Sequence, residues 1–180
     1  MNSEPIDTGA VLAQWRARAA DVRSRMAAPG IARPDQVAGL SGMQVFEAMF
    51  NGLLPSVPIS ETVSMLAVEI VPGRTVFQGE PKAAHYNPLG TVHGGWIATL
   101  LDSCVGCAVH SALPAGKGYT TVELKINYVR AVTTKVQLVR AEGKVIHLGG
   151  RMATADGRLV GPDGKLYAHA STTCFVFDIP

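Results

Sequence analysis

Apolar positions recur at helical spacing from the start of the chain. Val11, Trp15, Val22 and Met26 share one face, while Arg16, Arg18, Arg23 and Arg25 lie mostly off it. This predicts an amphipathic helix, ended by Pro29-Gly30. Its plain reading is a helix packed on its own domain with a solvated basic side; a membrane-surface helix is the alternative. A second helix is predicted over 41–54, with Ser41 as N-cap and Val45, Met49, Phe50 and Leu53 buried, before Pro55 and Pro58 stop it. From Glu61 the texture becomes β-branched and alternating. Residues 62–71 and 74–82 flank the turn Pro72-Gly73 and read as a hairpin. Residues 85–92 are irregular, broken by Asn87-Pro88 and Gly90. A helix follows over 94–113, apolar nearly all round and closed by Pro114 and Gly116. Four strands are then predicted, over 119–132, 135–148, 151–160 and 165–177. A helix apolar on every side must be covered on every side, and an antiparallel sheet curled around it is the economical solution. The expected class is α+β, with residues 1–60 as an N-terminal helical extension and residues 61–180 as the main domain.

Composition narrows the function. Charged residues make up 17% of the 180, against about 25% in typical domains. So few charges favour an oligomer that hides part of its surface. A net charge of +2 gives no electrostatic footprint for nucleic acid. Three cysteines make no disulfide framework. Cys104 and Cys107 form C-x-x-C, but inside an apolar helix rather than at its N-terminus, so they read as packed core residues. With Cys174 alone downstream, a zinc site lacks its second ligand pair, and His110, His147 and His169 cluster with no acid or cysteine; no metal site is expected. The apolar run 96–113 contains Asp102 and His110 and has no second span to shelter them, so it is expected to be a buried helix rather than a membrane span. The N-terminal MNSEPIDTGA lacks an apolar signal core, and a cytoplasmic location is expected.

The candidate chemistry lies at the start of the apolar helix. Gly94-Gly95 opens it, although glycine costs about 0.8–1 kcal/mol against alanine in a helix. Either backbone must come close to something there, or the helix starts tight against the sheet. A helix N-terminus offers free N–H groups and partial positive charge, suited to an oxyanion or a polarised carbonyl. Asp102 is the sole acid between Glu80 and Glu123, set among Leu100, Leu101 and Val105. A carboxylate placed there needs a partner, and burial favours its proton, making it a better base near neutrality. The alternative is a structural Asp bonded to a neighbouring backbone or hydroxyl group. Gly94 and Asp102 are eight residues apart on one helix, about 12 Å along its axis. One copy of the helix cannot serve a single carbonyl with both; two antiparallel copies in a two-fold dimer can.

The pattern Asn87-x-x-Gly90-x-x-His93-Gly94-Gly95, with Asp102 nine residues after the His, resembles the hotdog-fold thioesterases of the PaaI-like (phenylacetyl-CoA thioesterase) branch. The segments TVELKINYVR, residues 121–130, and GKLYA, residues 164–168, resemble the same branch, and the likeness spans roughly residues 60–178. It implies a five- or six-stranded antiparallel sheet around the apolar helix, a homodimer or dimer-of-dimers tetramer, and hydrolysis of acyl-CoA to free acid and CoA with no cofactor. It further implies that the Gly94 amide and the Asn87 side chain polarise the thioester carbonyl. Asp102 of the partner chain would activate water or attack directly. Thr121, or Thr120 if the register shifts by one, would orient that water, and His93 would organise the loop. Gly95, Arg130, Gly150 and Arg151 match positions that hold the CoA moiety, although each arginine alone also reads as a solvated surface charge. Ala131 departs from the Pro usual after the arginine. Tyr86 and Trp96 flank the motif, as acyl-pocket walls or as core.

Other readings are a non-catalytic acyl-CoA or acyl-carrier binding module on the same fold, a hydratase, and a purely structural oligomer. The module has no need of Asp102. A hydratase needs a further proton-moving partner beyond His93. The structural oligomer leaves the paired glycines and the acid unexplained.

Overall fold

The computed structural model describes residues 6–179. Its helices are α1 (Thr8–Arg25), α2 (Gly42–Phe50) and α3 (Gly94–Ser111). Its main strands are β1 (Met65–Val71), β2 (Arg74–Gly79), β3 (Lys117–Tyr128), β4 (Val139–Leu148), β5 (Met152–Val160) and β6 (Leu166–Asp178). The six strands form one antiparallel sheet in the order β1-β2-β4-β5-β6-β3. The chain therefore crosses the whole sheet through α3, from β2 near one edge to β3 at the other.

The class is α+β, as expected, and α3 lies in the trough of the sheet. Leu100, Leu101, Cys104, Val105, Ala108 and Val109 are fully buried there. Each large aliphatic side chain contributes about 1.5–3 kcal/mol by leaving water. The contact is close because the strands offer small residues: Ala141, Gly143, Ala153, Ala155 and Gly157 face the helix. The Thr75 hydroxyl donates to the Cys104 carbonyl at 2.7 Å, tying strand to helix backbone. A Cβ on Gly143 would run into that same carbonyl. Gly143→Ala is accordingly expected to cost about 1–3 kcal/mol through overpacking, lowering Tm by roughly 2–4 °C per kcal/mol. Gly150→Ala, where an added Cβ meets nothing within 4 Å, should leave the melt unchanged. Melts followed by circular dichroism compare the two.

Within one protomer a stripe of the helix stays partly exposed. Ala98, Thr99, Asp102, Ser103, Cys107 and His110 form this half-buried stripe, which meets Met65 on β1 and Thr121 and Tyr119 on β3 at its margins. Polar Asp102 and Ser103 are tolerated in an apolar helix because they belong to this stripe.

Several boundaries move. The hairpin is shorter than 62–82, since residues 59–62 form one helical turn and Ser64 has a left-handed backbone (φ 51°). The strand predicted from 135 starts at Val139, after a turn at residues 134–136. Helix α2 ends at Phe50 rather than Leu54. It buries Phe46, stacked edge-on against His110 at 5.1 Å, while Leu53 is exposed. A two-strand parallel pairing of Ala27–Pro29 with Pro55–Ser56 was not foreseen.

Helix α1 lies on the convex face of the sheet. Asp7 caps it, accepting from the Gly9 and Ala10 amides. Leu12, Trp15, Ala19 and Val22 are buried, meeting Leu66, Val68, Val76 and Leu138. The Arg140 guanidinium sits 4.6 Å from the Trp15 ring centre. Arg18 Nε donates to the Val68 carbonyl at 2.9 Å, so α1 also occupies part of the β1 edge. The opposite edge, β3, pairs on one side only, with β6, and Val122 and Tyr128 on it are more than half exposed.

Candidate active site

The loop before α3 is closed by Asn87. Its Oδ1 accepts from the Leu89 amide at 2.9 Å and the Thr91 amide at 3.3 Å, and its Nδ2 donates to Thr91 Oγ1 at 3.0 Å. One amide hydrogen remains for any other partner. The loop is backed by two backbone bonds, from Val92 to the Val132 carbonyl and from His93 to the His85 carbonyl. Tyr86 braces it from outside, its hydroxyl receiving the Thr134 amide at 2.8 Å. Trp96 is buried, stacked on His85 and donating Nε1–H to the Val63 carbonyl at 2.7 Å. Both aromatics therefore hold the framework of the loop and the helix start.

His93 is the N-cap of α3, and its Nδ1 accepts from the Gly95 amide at 2.8 Å. The neutral imidazole then carries its proton on Nε2. The paired glycines have a local cause. A Cβ on Gly94 would lie 3.3 Å from the Tyr128 ring, and one on Gly95 would lie 2.9 Å from His93 Nδ1. The approach expected of these glycines is thus to side chains of the chain itself. The Gly94 amide donates to no protein atom among the described residues. It adjoins a cleft of about 340 Å³ lined by Thr91, Ile97, Tyr128, Val129 and Arg130, among others.

Asp102 lies two turns further along α3, half-buried. Thr121 Oγ1 on β3 donates to its Oδ1 at 3.0 Å, and Oδ2 has no hydrogen-bond partner among the described residues. Thr121, not the exposed Thr120, is the hydroxyl on this side of the strand.

The sequence-derived residues separate into two groups within one chain. Asn87, His93, Gly94, Gly95 and Arg130 gather at the N-terminus of α3. Asp102 and Thr121 lie about 12 Å along the helix. Gly150 and Arg151 belong to neither group, although they lie toward the Thr121 end of the sheet. The Arg130 guanidinium is 6.0 Å from the Tyr167 ring and that of Arg151 is 5.7 Å from the Phe175 ring. Those rings are eight residues apart on β6, roughly 27 Å, so the two arginines do not meet in one protomer.

Two nearby side chains were missed: Tyr128, whose hydroxyl donates to the Gly94 carbonyl at 3.1 Å, and Thr99, whose hydroxyl donates to the Gly95 carbonyl at 2.9 Å. Thr99 is legible as a hydroxyl four residues after a helical glycine. Tyr128 has no comparable signal, because its reach depends on where β3 ends relative to α3.

Burial pushes the Cys107 thiol up to about 12 and the Cys104 thiol well above its ordinary value. Both stay protonated near neutral pH and cannot act as a redox pair. Iodoacetamide at pH 8 is expected to leave both unmodified in the folded protein and to label both after denaturation, as read by mass spectrometry. Among the described residues, no group of three His, Cys, Asp or Glu could hold a metal, and no helix is long and apolar enough to cross a membrane.

The family model of the thioesterase superfamily matches residues 89–168, which include His93, Gly94, Asp102, Thr121 and Arg130. A conserved protein of Pseudomonas aeruginosa has a similar structure at 30% identity and a TM-score of 0.63, with 68% of this chain and 95% of that one covered. A phenylacetic acid degradation-related protein of Ralstonia eutropha JMP134 is similar at 26% identity and TM-score 0.66, covering 72% and 98%. A hypothetical thioesterase protein of Streptococcus pneumoniae TIGR4, solved with coenzyme A, shares the fold at 24% identity and TM-score 0.58, covering 63% and 86%. No curated protein sequence matches the chain.

Proposed function

Because the chain belongs to the thioesterase superfamily, with the hotdog architecture of PaaI-like proteins, we propose that it hydrolyses an acyl-CoA thioester at a site shared by two copies of the chain. The observation that carries this reading is the split of the site. The unpartnered Gly94 amide and the unpartnered Oδ2 of Asp102 lie too far apart on one helix to serve one carbonyl. Thr121 and Tyr128 mark the two ends of the matching stretch of β3, the unpaired edge of the sheet. Antiparallel pairing of β3 with its copy about a two-fold axis brings the Tyr128 end of one chain beside the Thr121 end of the other. Gly94 of one protomer then faces Asp102 of its partner. A 12-residue edge left open would otherwise invite non-specific pairing. A tetramer would be two such dimers. In this reading residues 1–60 are an extension to the hotdog domain, residues 61–180.

The chemistry needs little more than these groups. The thioester carbonyl oxygen accepts from the Gly94 amide and from the free Asn87 amide hydrogen. Asp102 of the partner, oriented by Thr121, takes a proton from water through Oδ2. The resulting hydroxide adds to the carbonyl carbon, and the oxyanion forms against the Gly94 N–H. Collapse breaks the C–S bond, releasing the carboxylic acid and the CoA thiolate, which recovers a proton from Asp102. A thiol with an ordinary pKa near 8.5 leaves without a dedicated acid. Arg130 on the cleft rim would meet the phosphates of CoA from one protomer, and Gly150 and Arg151 would do so from its partner.

The bound CoA in the S. pneumoniae protein supports the CoA thioester as substrate class. Thiol release from a panel of acyl-CoAs, aliphatic and aromatic, tests the reading. At least one thioester should turn over. Tight acyl-CoA binding with no turnover would favour the binding module instead.

A further inference from the structure

Gly94 and Gly95 have no side chains with which to hold their own backbone, yet an oxyanion donor works only if its N–H is fixed in advance. The peptide between these two residues is held at both ends from outside. Its N–H, that of Gly95, is taken by His93 Nδ1 at 2.8 Å, and its carbonyl, that of Gly94, accepts the Tyr128 hydroxyl at 3.1 Å. The next carbonyl, of Gly95, accepts the Thr99 hydroxyl at 2.9 Å. The Gly94 N–H is left without a partner in this set. The Tyr128 ring also presses on the Gly94 Cα, closely enough that a Cβ there would lie 3.3 Å from it. Tyr128 is a side chain of the sheet edge, whereas His93 and Thr99 belong to the helix and its cap. It is thus the tether that fixes the first turn of α3 relative to β3.

Resting on the thioesterase reading above, we propose that Tyr128 is a positioning residue, which aims the Gly94 amide at the thioester carbonyl by clamping the Gly94–Gly95 peptide against the end of β3. It does so without touching the reacting atoms. Its hydroxyl carries the clamp, and its ring supplies a wall of the adjoining cleft. In the two-chain site Tyr128 lies where the partner's Thr121 end arrives, so the same residue registers the donor against the strand that meets the other half-site.

Tyr128→Phe separates these roles, because it keeps the ring over Gly94 and removes only the hydroxyl. A single hydrogen bond of this kind corresponds to a loss of about 3- to 10-fold. That loss is expected in kcat on the best acyl-CoA, with KM within about twofold of wild type and Tm unchanged. Amide hydrogen exchange at Gly95 should accelerate in the variant, a readout that needs no turnover. Wild-type kcat together with wild-type exchange at Gly95 would overturn the proposal. Should the wild-type protein hydrolyse no thioester at all, the thioesterase reading fails, and the exchange comparison still decides whether Tyr128 holds this peptide.

Discussion

Asp102→Asn should reduce kcat on any hydrolysed acyl-CoA by about 10²–10⁴-fold, the range of a lost general base, while the protein folds and melts as wild type. The substitution is nearly isosteric. It keeps an oxygen to accept from the Thr121 hydroxyl, so the 3.0 Å contact survives. It replaces the free Oδ2 with an amide nitrogen that cannot take a proton from water. Because Asp102 lies in the half-buried stripe and not in the core proper, neutralising it leaves no unpaired charge behind. KM should change little, since in the proposed site other groups hold the acyl and CoA moieties. Thr121→Val gives the graded companion: the base remains but loses its orienting hydroxyl, and a loss of about tenfold is expected, on the scale of one hydrogen bond to a charged group. Steady-state kinetics with parallel melts separate these outcomes. A fully active Asp102→Asn protein would remove the acid from the chemistry.

Gly94→Pro should cost about 10²–10³-fold in kcat, the typical effect of removing one oxyanion donor. Proline is the one residue that removes the backbone N–H, and its ring comes with that removal. Gly94 is the first residue of α3, the position at which helices accept proline best. His93 before it already has the extended backbone that a residue preceding proline requires (φ −61°, ψ 137°). The cost to the fold is crowding of the Tyr128 ring. Gly94→Ala is the control: it adds the Cβ at 3.3 Å from the Tyr128 ring without the rest of the proline ring, and keeps the N–H. It should lose far less activity than the proline variant. Equal losses in the two would assign the effect to Tyr128 displacement and not to the donor.

Much of this was legible in the chain. The alternation after Glu61, the breakers at Asn87-Pro88 and the apolar run from Trp96 predicted one helix wrapped by strands, because burial periodicity survives in sequence. Ser41 was legible as a cap because its hydroxyl acts on the Gln44 amide three residues away, a purely local relation. The Asp102 side chain stood out by being an acid among leucines. Errors arose where tertiary contacts decide. Phe46, not Leu53, is the buried anchor of α2 because His110 lies beneath it. The start of β4 was placed too early because the turn before it hydrogen-bonds within itself rather than to the sheet. The paired glycines predicted a close approach but not to what. That depended on Tyr128, 34 residues away in sequence. The separation of Gly94 from Asp102 was readable from helix geometry alone, whereas the distance between Arg130 and Arg151 required the strand register.

A site shared as proposed would make two inactive variants complementary. A purified heterodimer of one Asp102→Asn chain and one Gly94→Pro chain has one site with both substitutions and one with neither. Thiol release from an acyl-CoA should return to about half of the wild-type rate per dimer, although each homodimer is nearly inactive. A heterodimer as inactive as its parents would contradict a site built from Gly94 of one chain and Asp102 of the other.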